Sequence, residues 1–182
     1  MQTKMTRQRT SAIVRTAMMM CIIMVTIFMF RIPVPFTQGY VNLSDGVIFI
    51  AVILLGRKYG VAAAALGSAL GDIIGGFAMW APWTFLIKGG MALIVALVIA
   101  AFAKGRRSED RKWTVRIFAM VCGGAFMVFG YFIAERVMYG SWAIAALEIP
   151  WNVGQFAVGI ILAVCILKAL HKTSVIDKDG LL

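Results

Sequence analysis

The sequence predicts an all-α, polytopic membrane protein with six transmembrane helices and both termini in the cytoplasm. Three observations carry this. Of 182 residues, 62% are hydrophobic and the mean hydropathy is +0.90, far above the level of a soluble domain. The apolar residues form continuous runs, several near the ~20 residues that cross a bilayer as helix. The basic residues collect between alternate runs. Inside a bilayer each span must satisfy its own backbone, which leaves helices or closed barrels. Continuous rather than alternating runs select helices, and residues 1–182 form one integral membrane domain.

The first helix covers about residues 11–30. It is not a cleaved signal peptide, because "RIPVPFTQGYV" follows instead of a small-x-small site. That stretch, with two prolines and Gly39, predicts an irregular outer loop. The second helix is short, about 43–55, and "GRKYG" turns the chain into the third, about 61–79. "WAPW" makes the next turn, with Pro82 suited to a helix start. The fourth helix covers about 83–103, the charged "KGRRSEDRK" follows, and the fifth covers about 113–138. A short segment, Trp142 to Glu148, precedes a sixth helix that starts at Pro150 and ends near 170.

The net charge of +10 follows this topology. Lys4, Arg7, Arg9 and Arg15 precede or open the first helix, and Arg57 and Lys58 lie in the second loop. Lys104, Arg106, Arg107, Arg111, Lys112 and Arg116 surround the fourth loop, and Lys168, Lys172 and Lys178 end the chain. All but three of the 18 basic residues thus share one side, which the positive-inside rule makes cytoplasmic. The basic excess therefore signals orientation, not nucleic acid. The exceptions are Arg31, Arg136 and Lys88, and Lys88 lies two turns inside an apolar run.

Topology assigns depth to the polar residues. Asp72, Lys88, Tyr131, Glu135, Asn152 and Gln155 all fall in the outer half of the membrane, and "NLSD" brings Asn42, Ser44 and Asp45 to the outer rim. Trp80, Trp83 and Trp151 stand at the same level, while the inner halves are almost purely apolar. Isolated charges and amides are costly there, so Glu135 or Asp72 is the expected partner of Lys88. A mostly apolar cavity with a few convergent polar groups suits a small molecule. Asp72 equally suits a structural tie between the third and fourth helices. The aromatics, Arg136 and Glu148 equally suit an interfacial belt with structural charge pairs.

Two small-residue stripes are candidate docking faces for another membrane protein: Ala17 and Cys21 on the first helix, and Gly67, Gly71 and Gly75 on the third. Internal packing explains them equally well. Cys21, Cys122 and Cys165 lack metal-ligand spacing, and His171 stands alone, so no metal or other cofactor is expected. The sequence contains no Gly-rich Lys-Ser/Thr phosphate loop. "LGD" at Leu70 to Asp72 has no second catalytic aspartate, and no serine–histidine pair can form in the membrane. No polar ladder reaches the cytoplasm, as a pore would need. A one-sided pocket without an energy source points to a binding subunit of a larger transporter. The rival is a self-sufficient small carrier or enzyme.

The run from "GYVNLSDGVIFIAVILLGRKYG" through "WAPWTFLIKGGMALI", with "GYFIAERVMYG" and "IPWNVGQF", resembles the substrate-binding S component of energy-coupling factor (ECF) vitamin transporters. The resemblance covers about residues 10–170 and is greatest to the hydroxymethylpyrimidine or pyridoxine branch, related to the riboflavin branch. It implies six helices in the bacterial cell membrane and capture of a vitamin outside, with hydroxymethylpyrimidine favoured over pyridoxine or riboflavin. It further implies a transmembrane coupling subunit and two cytoplasmic ATPases as partners. The family's Ala-x-x-x-Ala contact with that subunit corresponds to Ala17 and Cys21. Lys88, Glu135, Asn152 and Gln155 become ligand contacts by position.

Overall fold

A computed structural model describes residues 2–35, 37, 39–102 and 109–172, with side chains from residue 6 onward. The elements in order are α1 (Gln2–Met29), β1 (Ile32–Pro33), β2 (Tyr40–Val41), α2 (Ser44–Ile74), α3 (Ala81–Phe102), α4 (Glu109–Tyr139) and α5 (Trp142–Lys172). The basic residues Lys104, Arg106, Arg107 and Lys178 lie outside the described residues.

Among the described residues, five helices are long and apolar enough to cross a membrane, where six were expected. The difference lies in α2, which joins the expected helices 43–55 and 61–79 without an intervening loop. A straight helix of 31 residues would hold its ends about 46 Å apart. Instead Ser44 and Asp72, near opposite ends of α2, line one cavity. The chain reverses at Gly56, whose φ of 73° and ψ of −178° are non-helical, a conformation that favours glycine. Four residues on, a Cβ at Gly60 would stand 2.6 Å from the Cα of Val52. α2 is therefore a helical hairpin whose two arms touch backbone to backbone at the turn.

Other boundaries differ as well: α1 begins at Gln2 rather than about 11, and α2 ends at Ile74 rather than about 79. α4 begins at Glu109 because "EDRK" forms a helical turn rather than loop, with Lys112 Nζ 2.6 Å from Glu109 Oε1. Pro150 lies inside α5 instead of opening it. The missing proline N–H leaves the carbonyl four residues back without its helical donor, but it does not end the helix here.

α2 is the hub. It packs on α1, α3 and α5, and α4 closes the ring between α3 and α5. The contact with α1 uses Thr16, Ile23 and Ile27, a stripe at helical spacing. Gly67 and Gly71 face that stripe: a Cβ at Gly67 would lie 3.1 Å from the Met20 Cα, and one at Gly71 2.9 Å from Ile27 Cδ1. The glycine stripe is thus taken up by α1, and the expectation that it forms a docking face gives way to internal packing. Gly75 ends α2, and its carbonyl accepts a hydrogen bond from Arg31 Nη1 at 3.2 Å.

The hairpin turn predicts a sharp position dependence. Gly60→Ala should lower stability by about 1–3 kcal/mol through overpacking. Gly154→Ala, where an added Cβ meets nothing within 4 Å, should be neutral or stabilising by up to about 1 kcal/mol. Melting temperatures of the two variants in detergent check this.

Candidate functional site

Lys88, on α3, is 2% exposed and forms an ion pair with Asp45, which is fully buried. The partner is neither Glu135 nor Asp72, as the sequence had suggested. Asp45 reads as a rim residue because it begins a helix, but two glycines sink it. A Cβ at Gly46 would lie 3.1 Å from the Gly159 carbonyl oxygen, and one at Gly159 would lie 2.9 Å from Asp45 Cβ. The first arm of α2 and α5 can therefore cross with almost no side chain between them, and the carboxylate lands in the core.

Gln155 completes the arrangement. Its Nε2 donates to Asp45 Oδ2 at 2.9 Å, and its Oε1 accepts from the Asn42 backbone N–H at 2.7 Å. Asn42 Oδ1 in turn accepts from the Ser44 N–H at 2.9 Å, at the start of α2. The Met127 sulfur lies 3.0 Å from Lys88 Nζ, and the Tyr131 ring centroid 5.5 Å from it. A lysine alone at membrane depth would cost roughly 2.5–3.5 kcal/mol. Here the charge is paired, and both carboxylate oxygens of the partner accept hydrogen bonds.

A second group lies beside it. The Tyr40 hydroxyl donates to Asp72 Oδ1. The Arg31 guanidinium covers the rings of Tyr40 at 4.5 Å and Phe77 at 4.7 Å. These contacts tie the short β1–β2 ribbon, paired Ile32 to Val41 and Pro33 to Tyr40, over the end of α2. Tyr131 donates to Thr84 at 3.4 Å.

Between the two groups lies a cavity of about 30 Å³. It gathers seven of the ten expected site residues: Lys88, Asn152, Gln155, Tyr131, Trp80, Asp72 and Asn42. Three are elsewhere. Glu135 is fully buried behind the wall, beside Glu148. Trp83 packs half-buried against the core, and Trp151 is 41% exposed beside a shallower apolar pocket of about 210 Å³. Sequence reasoning missed Tyr40, Ser44, Ser68, Thr84 and Glu148 in the lining. Ser68 and Thr84 carried a usable signal, each standing four residues before an expected site residue, Asp72 and Lys88.

The model of the family described as "ECF-type riboflavin transporter, S component" matches residues 7–172. The chain belongs to this ECF S-component family. Similar proteins include an uncharacterized protein in gap 3′ region of Pyrococcus woesei, 37% identical over 138 residues, 76% of this chain and 86% of that one. The thiamine precursor transporter HmpT of Lactococcus lactis is 26% identical over 150 residues, 82% of this chain and 81% of its own. The fold matches a structure titled "Structure and mechanism of the S component of a bacterial ECF transporter" with a TM-score of 0.68 at 20% identity, covering 91% of this chain and 98% of that one. An S component is the vitamin-binding part of a multi-pass membrane transporter and not an enzyme. It works with a transmembrane and ATPase module.

In this S component, the buried ion pair predicts strong non-additivity. Lys88→Met or Asp45→Leu alone leaves an uncompensated buried charge and should cost about 3–5 kcal/mol. The double variant should recover most of that loss. A double-mutant cycle of unfolding free energies in detergent reads the coupling, and simple additivity would refute it.

Proposed function

We propose that the chain captures hydroxymethylpyrimidine from outside the cell and passes it to a transmembrane coupling subunit driven by two cytoplasmic ATPases. The carrying observation is the small cavity into which α2, α3, α4 and α5 all bring polar side chains. The resemblance to the thiamine precursor transporter HmpT favours this ligand. A cavity of about 30 Å³ is room for water rather than for a vitamin. Binding therefore requires the ribbon bearing Gly39 and Tyr40 to yield, and a single-ring pyrimidine demands less expansion than a three-ring flavin. Riboflavin is the second reading, favoured by the description of the matching family.

The proposal includes six crossings with both termini cytoplasmic. The two arms of α2 would count as separate crossings, which sets the cavity at the outer ends of all the helices. Among the described residues, Arg57, Lys58, Arg111, Lys112, Arg116, Lys168 and Lys172 then fall at the inner ends. Lys88, Asn152 and Gln155 act as ligand contacts or as their immediate supports, with Trp80 and Tyr131 as stacking faces. Glu135, Trp83 and Trp151 would act from outside the cavity lining.

Ala17 and Cys21 belong to an exposed face of α1 with Ile13, Val14, Met18 and Val25. That face is the docking surface for the coupling subunit in this reading. The expected outcome is that hydroxymethylpyrimidine co-purifies with the protein and is identified by mass spectrometry; recovery of riboflavin would move the assignment to the second reading. Ala17→Trp should abolish co-purification of the coupling module while ligand binding persists. Intact assembly in that variant would remove α1 as the contact.

A further inference from the structure

At the turn of α2 the packing leaves room. A cavity of about 300 Å³ opens there between α2 and α3, far larger than the polar one around Lys88. Its wall is aliphatic: Val52 and Ile53 come from the first arm of α2, Ala96 and Ile99 from α3. Small residues create the room. Gly56 has no side chain at the turn, and Ala96 and Ala100, four apart on α3, present one methyl each. Arg57, an exposed residue, stands at the margin.

The wall and its margin define the occupant. A buried water needs two to four polar partners, and aliphatic side chains supply none. Aliphatic surface without neighbours forfeits its dispersion contacts, so hydrocarbon is the filling that suits this wall. The volume lies at the lower end of the roughly 300–1,000 Å³ of small-molecule pockets, room for part of an acyl chain. Charge specifies the rest of the molecule. Arg57 and Lys58 are adjacent cations, and neither forms an ion pair among the described residues: Asp45 is taken by Lys88, and Glu109 by Lys112 and His171. Lys58 Nζ lies 5.7 Å from the Tyr59 ring centroid. A guanidinium takes a phosphate through two parallel N–H donors. Basic pockets between membrane helices on the cytoplasmic side suit anionic head groups.

We infer that this cavity binds one anionic phospholipid of the inner leaflet, with an acyl chain between α2 and α3 and the phosphate on Arg57 and Lys58. The site is separate from the vitamin cavity. Its leaflet alone rests on the topology proposed above, which digestion of a C-terminal tag in sealed vesicles tests independently. The full-length protein is purified through mixed micelles holding equal amounts of phosphatidylglycerol and phosphatidylcholine with identical acyl chains. Native mass spectrometry then weighs the lipid it keeps. The wild-type protein should retain one phosphatidylglycerol, favoured about tenfold over phosphatidylcholine. Arg57→Gln should lower that preference about fivefold, whereas Arg15→Gln, at an exposed position on α1, should leave it unchanged. Ala100→Phe, which fills the cavity mouth, should abolish retention, with the melting temperature of the lipid-free protein reporting intact folding. Equal retention of the two lipids by the wild-type protein would overturn the inference without any variant. So would equal effects of Arg57→Gln and Arg15→Gln, which would mark general surface charge. Lipid retention that survives Ala100→Phe, joined to loss of the coupling module in that variant, would overturn it too and assign the cavity to a partner side chain.

Discussion

The ion pair between Lys88 and Asp45 organises this protein. Two opposite charges within a low-dielectric interior attract strongly, but only if both are held and their remaining hydrogen-bonding capacity is met. Here that condition recruits three elements. α3 supplies the cation, the first arm of α2 the anion, and α5 the amide of Gln155 that reaches the second carboxylate oxygen. The pairing requires α2 and α5 to approach until backbone meets side chain, and Gly46 and Gly159 provide that approach. Gln155 also fixes the Asn42 N–H, so the ribbon that closes the cavity is tied to the same charge pair. Scaffold and cover are one network.

The contrast between the two halves of the cavity follows from this. A network that satisfies itself gains rigidity and leaves nothing for a ligand. On the opposite wall Asp72 is held by the Tyr40 hydroxyl through one carboxylate oxygen. Such a carboxylate is already oriented, so a ligand that completes it does not have to order it. Pre-organisation of this kind makes a small contact area count, because the ordering cost was met on folding.

Much of this was legible in the sequence, and the failures have a common cause. Runs of apolar residues marked the helices, and the cost of charge in lipid marked Lys88, Asp72, Asn152 and Gln155 as residues that had to meet something. What the sequence could not convey was depth set by close packing. Asp45 looks superficial because it follows a loop, yet two glycines far apart in the chain, Gly46 and Gly159, make it the most deeply engaged acid. The glycines of α2 looked like an outward stripe because small residues permit approach without naming the partner; α1 occupies that groove. Gly56 and the residues after it looked like a loop between two helices, whereas one positive-φ glycine suffices to reverse a chain that stays helical on both sides. Pro150 looked like a helix start, but the residues before it hold helical geometry without the one hydrogen bond that proline forbids.

The position of the polar groups also bears on how such a site could release its ligand. Toward the turn of α2, the walls between α2 and α3 are Val52, Ile53, Ala96, Ile99 and Ala100, with Arg57 at the margin. They offer no succession of polar groups along which a ligand could descend. Opening a path through the bundle would also mean parting α2, α3 and α5 where Lys88, Asp45 and Gln155 join them, and so wetting or separating a buried charge pair at a cost of several kcal/mol. Moving the whole body relative to the membrane leaves that pair dry and intact.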